Sequence, residues 1–258
     1  MRSLIPHTAS LVVGMTLMLL ATTASAATLS VQRLANSGWT NGFEQGRLDG
    51  IKAVTAQAGE FQFKVRNSHE IEFDIVGKGG ELFAFCIDVT RNLKPTGQYT
   101  VVDLGGLDTD LDSLGLKPAS MGLLGKLYDH HYGSISDSRS SAAFQLALWE
   151  ILYDWNTLNL ENGSFFASGF NGALTTAKAW LQALAEKEAL GLYNLYALDP
   201  TRDNMPNQRL ITAQPAIGPQ LQSFQQVPEP GTLALFALGI AGVGLMRRRS
   251  PSRLVGDL

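Results

Sequence analysis

The single cysteine of this 258-residue chain, Cys86, lies in Phe83-Ala84-Phe85-Cys86-Ile87-Asp88-Val89. One thiol makes no intramolecular disulfide, so Cys86 is either a small buried hydrophobe or a group with chemistry to perform. Gln145 follows 59 positions later in Ala142-Ala143-Phe144-Gln145-Leu146-Ala147-Leu148-Trp149. Leu148, Trp149 and Leu152 stand three, four and seven residues beyond it, which puts its carboxamide on or beside a core-facing helix stripe. A buried amide without partners is costly, so Gln145 must be hydrogen-bonded to neighbouring backbone or consumed in a reaction. His130-His131 offers a Cys–His nucleophile system with Cys86, which would make a cysteine hydrolase. Histidines near a helix C-terminus equally suit its dipole. Asp108, Asp110 and Asp112 begin like a calcium loop, but Ser113 stands where the turn glycine belongs and Ala119 where the bidentate Glu belongs. That leaves an acidic loop as the simpler reading. Trp39 and Trp180 read as core residues rather than ligand platforms.

These residues need elements to hold them. Phe61 to Asn67 and Ile71 to Ile75 alternate apolar and polar residues and predict a hairpin through Ser68-His69. Glu81 to Thr90 predicts a third strand, with Phe83, Phe85, Ile87 and Val89 on one face and Leu82, Ala84, Cys86 and Asp88 on the other. Gln98 to Val102 predicts a fourth. Ala119 to Tyr132, Ser138 to Trp155 and Asn171 to Leu190 carry helical spacing, with Ser138, Ser140, Ser141 and Asn171 as capping candidates. Leu192 to Leu198 and Gln208 to Thr212 read as late strands. The expected fold is α+β, an antiparallel sheet or barrel with an inserted helical lobe, flanked by a signal peptide and a C-terminal transmembrane sorting helix.

Composition narrows the classes. The chain is 45% hydrophobic and 17% charged with net charge −3, which excludes a disordered polar chain and a basic nucleic-acid binder. Arg2, the apolar run Leu11 to Ala21 and Ala24-Ser25-Ala26 make a secretory signal peptide over 1–26. At the other end Val227-Pro228-Glu229-Pro230-Gly231 precedes an apolar stretch through 231–246 and Arg247-Arg248-Arg249. That stretch is short for a membrane span but serves with snorkelling flanks, and the arginines favour a cytoplasmic tail at 250–258. The segment 227–249 resembles the PEP-CTERM sorting signal. The resemblance implies export across the inner membrane of a Gram-negative bacterium, handling by an exosortase-type sorting enzyme, and association with exopolysaccharide or biofilm matrix. Between the ends, 27–213 reads as one domain and 214–226 as a linker. Residues 27–227 hold 15 basic and 21 acidic side chains, net −6.

The pair Phe-Cys-Ile-Asp on a strand and Phe-Gln-Leu-Ala-Leu-Trp on a later helix resembles the thioester domains of bacterial surface adhesins. The resemblance runs from Glu81 to Trp155 and implies an internal thioester between Cys86 and Gln145, with Ala147 and Trp149 completing the helix motif. Phe144 departs from the smaller or polar residue that many members carry there. Asp88 and Trp149 are the supporting candidates, Asp88 by orienting a nucleophile or polarising the amide. The function so implied is covalent attachment to a surface or matrix partner bearing an amine. It happens once per molecule, so the protein is not an enzyme, and it calls for no cofactor or metal. A non-reactive structural protein of the matrix is the alternative.

Overall fold

The computed structural model describes residues 27–34, 41–51, 53–69, 75–77, 79–107, 109–201 and 207–216. The signal peptide, the sorting segment with its apolar stretch 231–246, Trp39 and Asp108 lie outside these residues. So does most of the second arm of the expected hairpin, 71–74.

Six strands close into an antiparallel barrel: β1 (Thr28–Arg33), β4 (Phe61–His69), β5 (Glu81–Cys86), β9 (Leu210–Pro215), β8 (Tyr193–Pro200) and β6 (Thr96–Asp103), in that order around it. The barrel face is set by register. Phe63 pairs with Leu82, Phe61 with Ala84, Cys86 with Leu210, Leu198 with Leu210, and Val101 with Leu198. Partners in a ladder share a face, so Cys86 belongs with Leu82, Ala84, Leu198 and Val101 on the barrel's inner side, all of them buried. Phe85 and Ile211 form the other, outward phase.

Three helices and a small sheet lie outside the barrel. They are α1 (Pro118–His131), α2 (Ser138–Asp154), α3 (Asn171–Leu184), and a sheet ordered β3 (Val54–Ala58), β2 (Glu44–Asp49), β7 (Phe166–Ser168). Phe85 meets Phe144 of α2 with ring centroids 4.7 Å apart, and Tyr128 of α1 meets the same ring edge-on at 4.9 Å. Every residue of α2 from Ser141 to Leu152 is buried, as expected of a helix enclosed on all sides. Its start is fixed by a capping box: the Asp137 carboxylate accepts from Ser140 N–H at 2.7 Å, and the Ser140 hydroxyl accepts from Asp137 N–H at 3.1 Å. The cap is thus Asp137, one residue before the serines that composition pointed to. Asn171 caps nothing; it opens α3 and donates to Glu44 at 2.7 Å.

The helices match expectation to within a turn, except that α3 ends at Leu184. β4 pairs with β1 and β5. β5 stops at Cys86, four residues short of the expected strand, because Asp88 folds into a turn whose carboxylate accepts from Thr90 N–H at 3.0 Å and Thr90 Oγ1 at 2.6 Å. β9 extends through Pro215.

The loop after α2 is tied down by buried acids. Asp154 accepts Ser164 N–H at 2.6 Å, and Glu150 accepts Asn159 N–H at 2.6 Å. Gly163 turns the loop at φ 118°, where an added Cβ would come within 2.0 Å of the Asp154 carboxylate. Gly163→Ala is expected to cost about 1–3 kcal/mol, read as a lower thermal midpoint; a midpoint equal to the parent's would show that the loop yields freely.

Candidate functional site

One end of the barrel is open where β1 ends at Arg33, β4 begins at Phe61 and β5 ends at Cys86. At this mouth Phe61 pairs with Ala84, so the next position along the same edge of β5, Cys86, has outrun its strand partner. In an antiparallel ladder the N–H and C=O of one residue point to the same neighbour. Those of Cys86 point to the vacated place, while Ile87 N–H turns to the other side and donates to Arg209 O at 3.1 Å.

Gln145 fills that place. Cys86 N–H donates to Gln145 Oε1 at 2.9 Å, and Gln145 Nε2 donates to Cys86 O at 2.8 Å. The side-chain amide acts as one missing rung of the ladder, supplied by a helix. Gln145 is 1% exposed and Cys86 1%, so both bonds form away from water. Two further contacts hold the same segment: Ser141 Oγ accepts from Glu60 N–H at 2.8 Å, and Tyr153 Oη donates to Ile87 O at 2.8 Å. α2 therefore reaches the chain around Cys86 through Gln145 and Tyr153.

The thiol donates to Asp88 O at 3.2 Å. Burial pushes the Cys86 thiol well above its ordinary range; the Asp88 backbone contact opposes this, and the Asp88 charge adds to it. The resting sulfur is a neutral thiol. Trp149, buried at 3% exposure, has no ordinary acceptor for its indole N–H, yet that group faces the sulfur closely enough to favour the thiolate. Tyr99, also buried and without a hydroxyl partner, senses the same sulfur electrostatically, and burial raises its phenol. Nothing in the local sequence around Tyr99 signals this placement; only barrel closure brings it there.

The Asp88 side chain makes no hydrogen bond to the thiol. Its carboxylate is engaged by Thr90 and by Arg91 at 3.2 Å, because the strand that would have put it on the Cys86 face has already ended. The histidines are elsewhere as well. His130 Nε2 bonds Glu188 O at 2.8 Å, and His131 stacks on Trp180 with centroids 4.6 Å apart. No histidine is among the hydrogen-bond or electrostatic partners of Cys86. Of the calcium candidates, Asp110 accepts Ser113 N–H at 3.2 Å and Asp112 pairs with Lys117 at 3.1 Å. Among the described residues no group of acids, histidines or cysteine is placed to hold a metal.

Outside Cys86 lies a cleft of about 420 Å³, bounded by the barrel mouth, β3 and the Arg91–Leu93 turn, with Phe61 and Trp149 beside the sulfur. Cys86 is thus buried yet borders this cavity, while Gln145 lies behind it and does not line the cleft.

No curated protein matches the chain. Among solved structures it is similar to the N-terminal domain of the Streptococcus pyogenes pilus tip adhesin Cpa (12% identity, 75% of this chain and 97% of that one, TM-score 0.40). It is also similar to the N-terminal thioester domain of a protein F2 like fibronectin-binding protein from Streptococcus pneumoniae (10%, 70% and 97%, 0.39). A third is the N-terminal thioester domain of fibronectin-binding protein SfbI from Streptococcus pyogenes (16%, 66% and 92%, 0.36). Among the described residues no helix is long and apolar enough to cross a membrane. Residues 226–249 match the model of the PEP-CTERM protein-sorting motif. The chain carries that motif at its C-terminal end, and with it the mark of a protein exported and sorted to the cell envelope.

Proposed function

We propose that this exported protein forms an internal thioester between Cys86 and Gln145 and spends it in covalent attachment to a partner amine. The observation that carries the reading is the docking of the Gln145 amide on the Cys86 backbone, through two buried hydrogen bonds, directly beside the thiol's own residue. That docking does chemical work. Cys86 N–H, at 2.9 Å from Gln145 Oε1, stabilises the negative charge that gathers on this oxygen when the amide carbon is attacked.

In the first step Cys86 Sγ bonds to the Gln145 side-chain carbonyl carbon, the thiol proton passes to Nε2, the C–N bond breaks and ammonia leaves. In the second, a partner amine bonds to the same carbon, the C–S bond breaks, and the sulfur takes a proton from the amine. The protein ends amide-linked at residue 145 with Cys86 a free thiol again. Each molecule reacts once, which is attachment and not turnover. Processing of 227–249 by an exosortase and a membrane stop at 231–246 complete the route to the surface.

The second reading is a non-reactive envelope or matrix protein in which Gln145 is only a clamp. In that reading the Oε1 and Nε2 bonds to Cys86 serve only to hold α2 to β5. Intact mass of the purified mature chain separates the two. The thioester reading expects a mass lower than the sequence by one ammonia, and a gain of one methylamine at residue 145 after treatment. Peptide mapping that finds unaltered Gln145 and an alkylatable Cys86 throughout overturns it.

A further inference from the structure

Two buried polar groups near Cys86 are left without an ordinary partner. The indole N–H of Trp149 finds no nitrogen or oxygen acceptor, and the hydroxyl of Tyr99 is unpaired as well. Buried donors left unmade are costly, and native folds keep few of them. Trp149 stands four residues after Gln145 on α2, so the two side chains leave the same helix face. Its ring meets Phe165 edge-on with centroids 6.3 Å apart and lines the cleft together with Cys86. In that place the N–H faces the sulfur.

Tyr99 approaches from inside the barrel. It shares the inner phase of β6 with Val101. A Cβ on Gly97 would collide with the Cε2 and Cζ of its ring, so the ring leans toward the start of β6. That start lies at the barrel mouth, where Arg33 N–H donates to Pro95 O at 2.8 Å and where β5 ends at Cys86.

Asp88 O takes the thiol proton at 3.2 Å, which leaves a sulfur lone pair for the indole. Neutral sulfur is a weak acceptor, whereas an ionised acceptor makes a much stronger bond. The indole contact is therefore worth little to a resting thiol or a thioester and much to a sulfur carrying negative charge. Interactions that strengthen only as charge develops are the ones that lower a barrier. The need is large here, because burial and the Asp88 charge both disfavour the anion, and no cation is among the partners of the sulfur.

We propose that Trp149 is a catalytic residue of the attachment step, its indole N–H holding the Cys86 sulfur as that sulfur leaves residue 145, with the Tyr99 hydroxyl as a second donor from the barrel interior. The inference rests on the thioester reading. The partner amine nitrogen bonds to the acyl carbon, and the C–S bond breaks with its electron pair passing to Sγ. The sulfur then takes a proton from the amine and donates it once more to Asp88 O. The indole gives up no proton; it only donates a hydrogen bond, strongest while the sulfur is charged.

The test follows methylamine uptake by intact mass, on the mature chain and on variants whose thermal melt matches the parent's. Rates are read on the fraction of each chain that is lighter by one ammonia. Trp149→benzothienylalanine keeps the bicyclic shape and puts sulfur where the N–H was, so it removes the donor and spares the packing. It is expected to react at least about tenfold more slowly than the parent, the scale of one hydrogen bond to a charged group. Tyr99→Phe deletes one oxygen and is expected to slow uptake about threefold; it decides the matter should the Trp149 variant fail the melt. A parent of full mass with unaltered Gln145 would overturn the thioester reading and this inference with it. A parent that carries the ammonia deficit, with variants reacting at its own rate, would overturn this inference alone.

Discussion

Gln145→Ala is expected to cost about 3–5 kcal/mol of folding stability, read as a shift of the urea midpoint at unchanged slope. The side chain is fully enclosed, and its removal strands the Cys86 N–H and C=O in a place where β4 has already ended. Leaving a buried donor and acceptor unpaired costs about 1–3 kcal/mol each, and the cavity adds to it. Gln145→Glu is the more telling variant, since hydrolysis of the proposed thioester would leave glutamate at this position. A carboxylate can accept from Cys86 N–H but offers Cys86 O nothing, so this variant is expected to be unstable at neutral pH and to recover in acid as the carboxyl regains a donor. Cys86→Ala keeps the clamp, because both bonds go to the backbone of residue 86. It is expected to lose only the packing of one sulfur while losing all covalent attachment. A Gln145→Ala chain that unfolds at the parent's urea concentration would show that the clamp carries no stability.

Between about pH 4.5 and 6.5 the stability of the parent chain is expected to be nearly flat, through cancellation of two opposed titrations. Burial, helped by the charges of Lys187 and His130, lowers the His131 pKa to about 4 from 6.5. The unfolded chain then binds the extra proton, so the contribution of His131 is complete above 6.5 and is lost as pH falls toward 4. Its ring stacks on Trp180 with a buried nitrogen unpartnered, which suits the neutral form. Glu150 behaves in the opposite sense. Burial chiefly, with the Asp154 charge, raises its pKa to about 7 from 4.5 against the Asn159 N–H bond. The folded chain holds that proton, so this contribution is complete below 4.5 and is lost as pH rises toward 7. Discounted for solvent screening, each swing amounts to about 1–2 kcal/mol. Glu150→Gln removes one side of the balance, and its stability is expected to climb by about that amount from pH 4 to 6.5. A flat profile in that variant, measured by urea unfolding at several pH values, would contradict the account.

The helices were legible because each buries a stripe long enough to show its period, and the barrel strands from β4 onward because large apolar residues alternate along them. β2 and β3 carry no such signal. Glu44–Asp49 buries only Leu48, and Val54–Ala58 buries only Ala58. Their sheet is held by neighbours far away in sequence, as Gly46 shows: a Cβ there would come within 2.4 Å of the Phe170 ring. The two strands that border the cleft were therefore invisible to pattern reading. Cys86 and Gln145 were legible as a pair only through the family resemblance. Periodicity placed Gln145 at the core but left open what it bonds. The answer, the backbone of Cys86, depends on where β4 runs out. Asp88 was placed on the Cys86 face by extending a strand through a turn that its own side chain creates.

The position of Gln145 also decides which part of the protein would bear tension. Were a partner linked at residue 145 as proposed and the chain held beyond Pro215, the covalent path of the load would run through the later part of α2, β7, α3, β8 and β9. β9, the last described strand, sits between β5 and β8, so a pull on it must shear two ladders at once. Should they give way, the 70 residues from 145 to 215 pay out at most about 250 Å of chain, and the amide holds throughout. On the proposed reading, the place of residue 145 in the chain would make the domain an extensible leash that yields in length before it loses its grip.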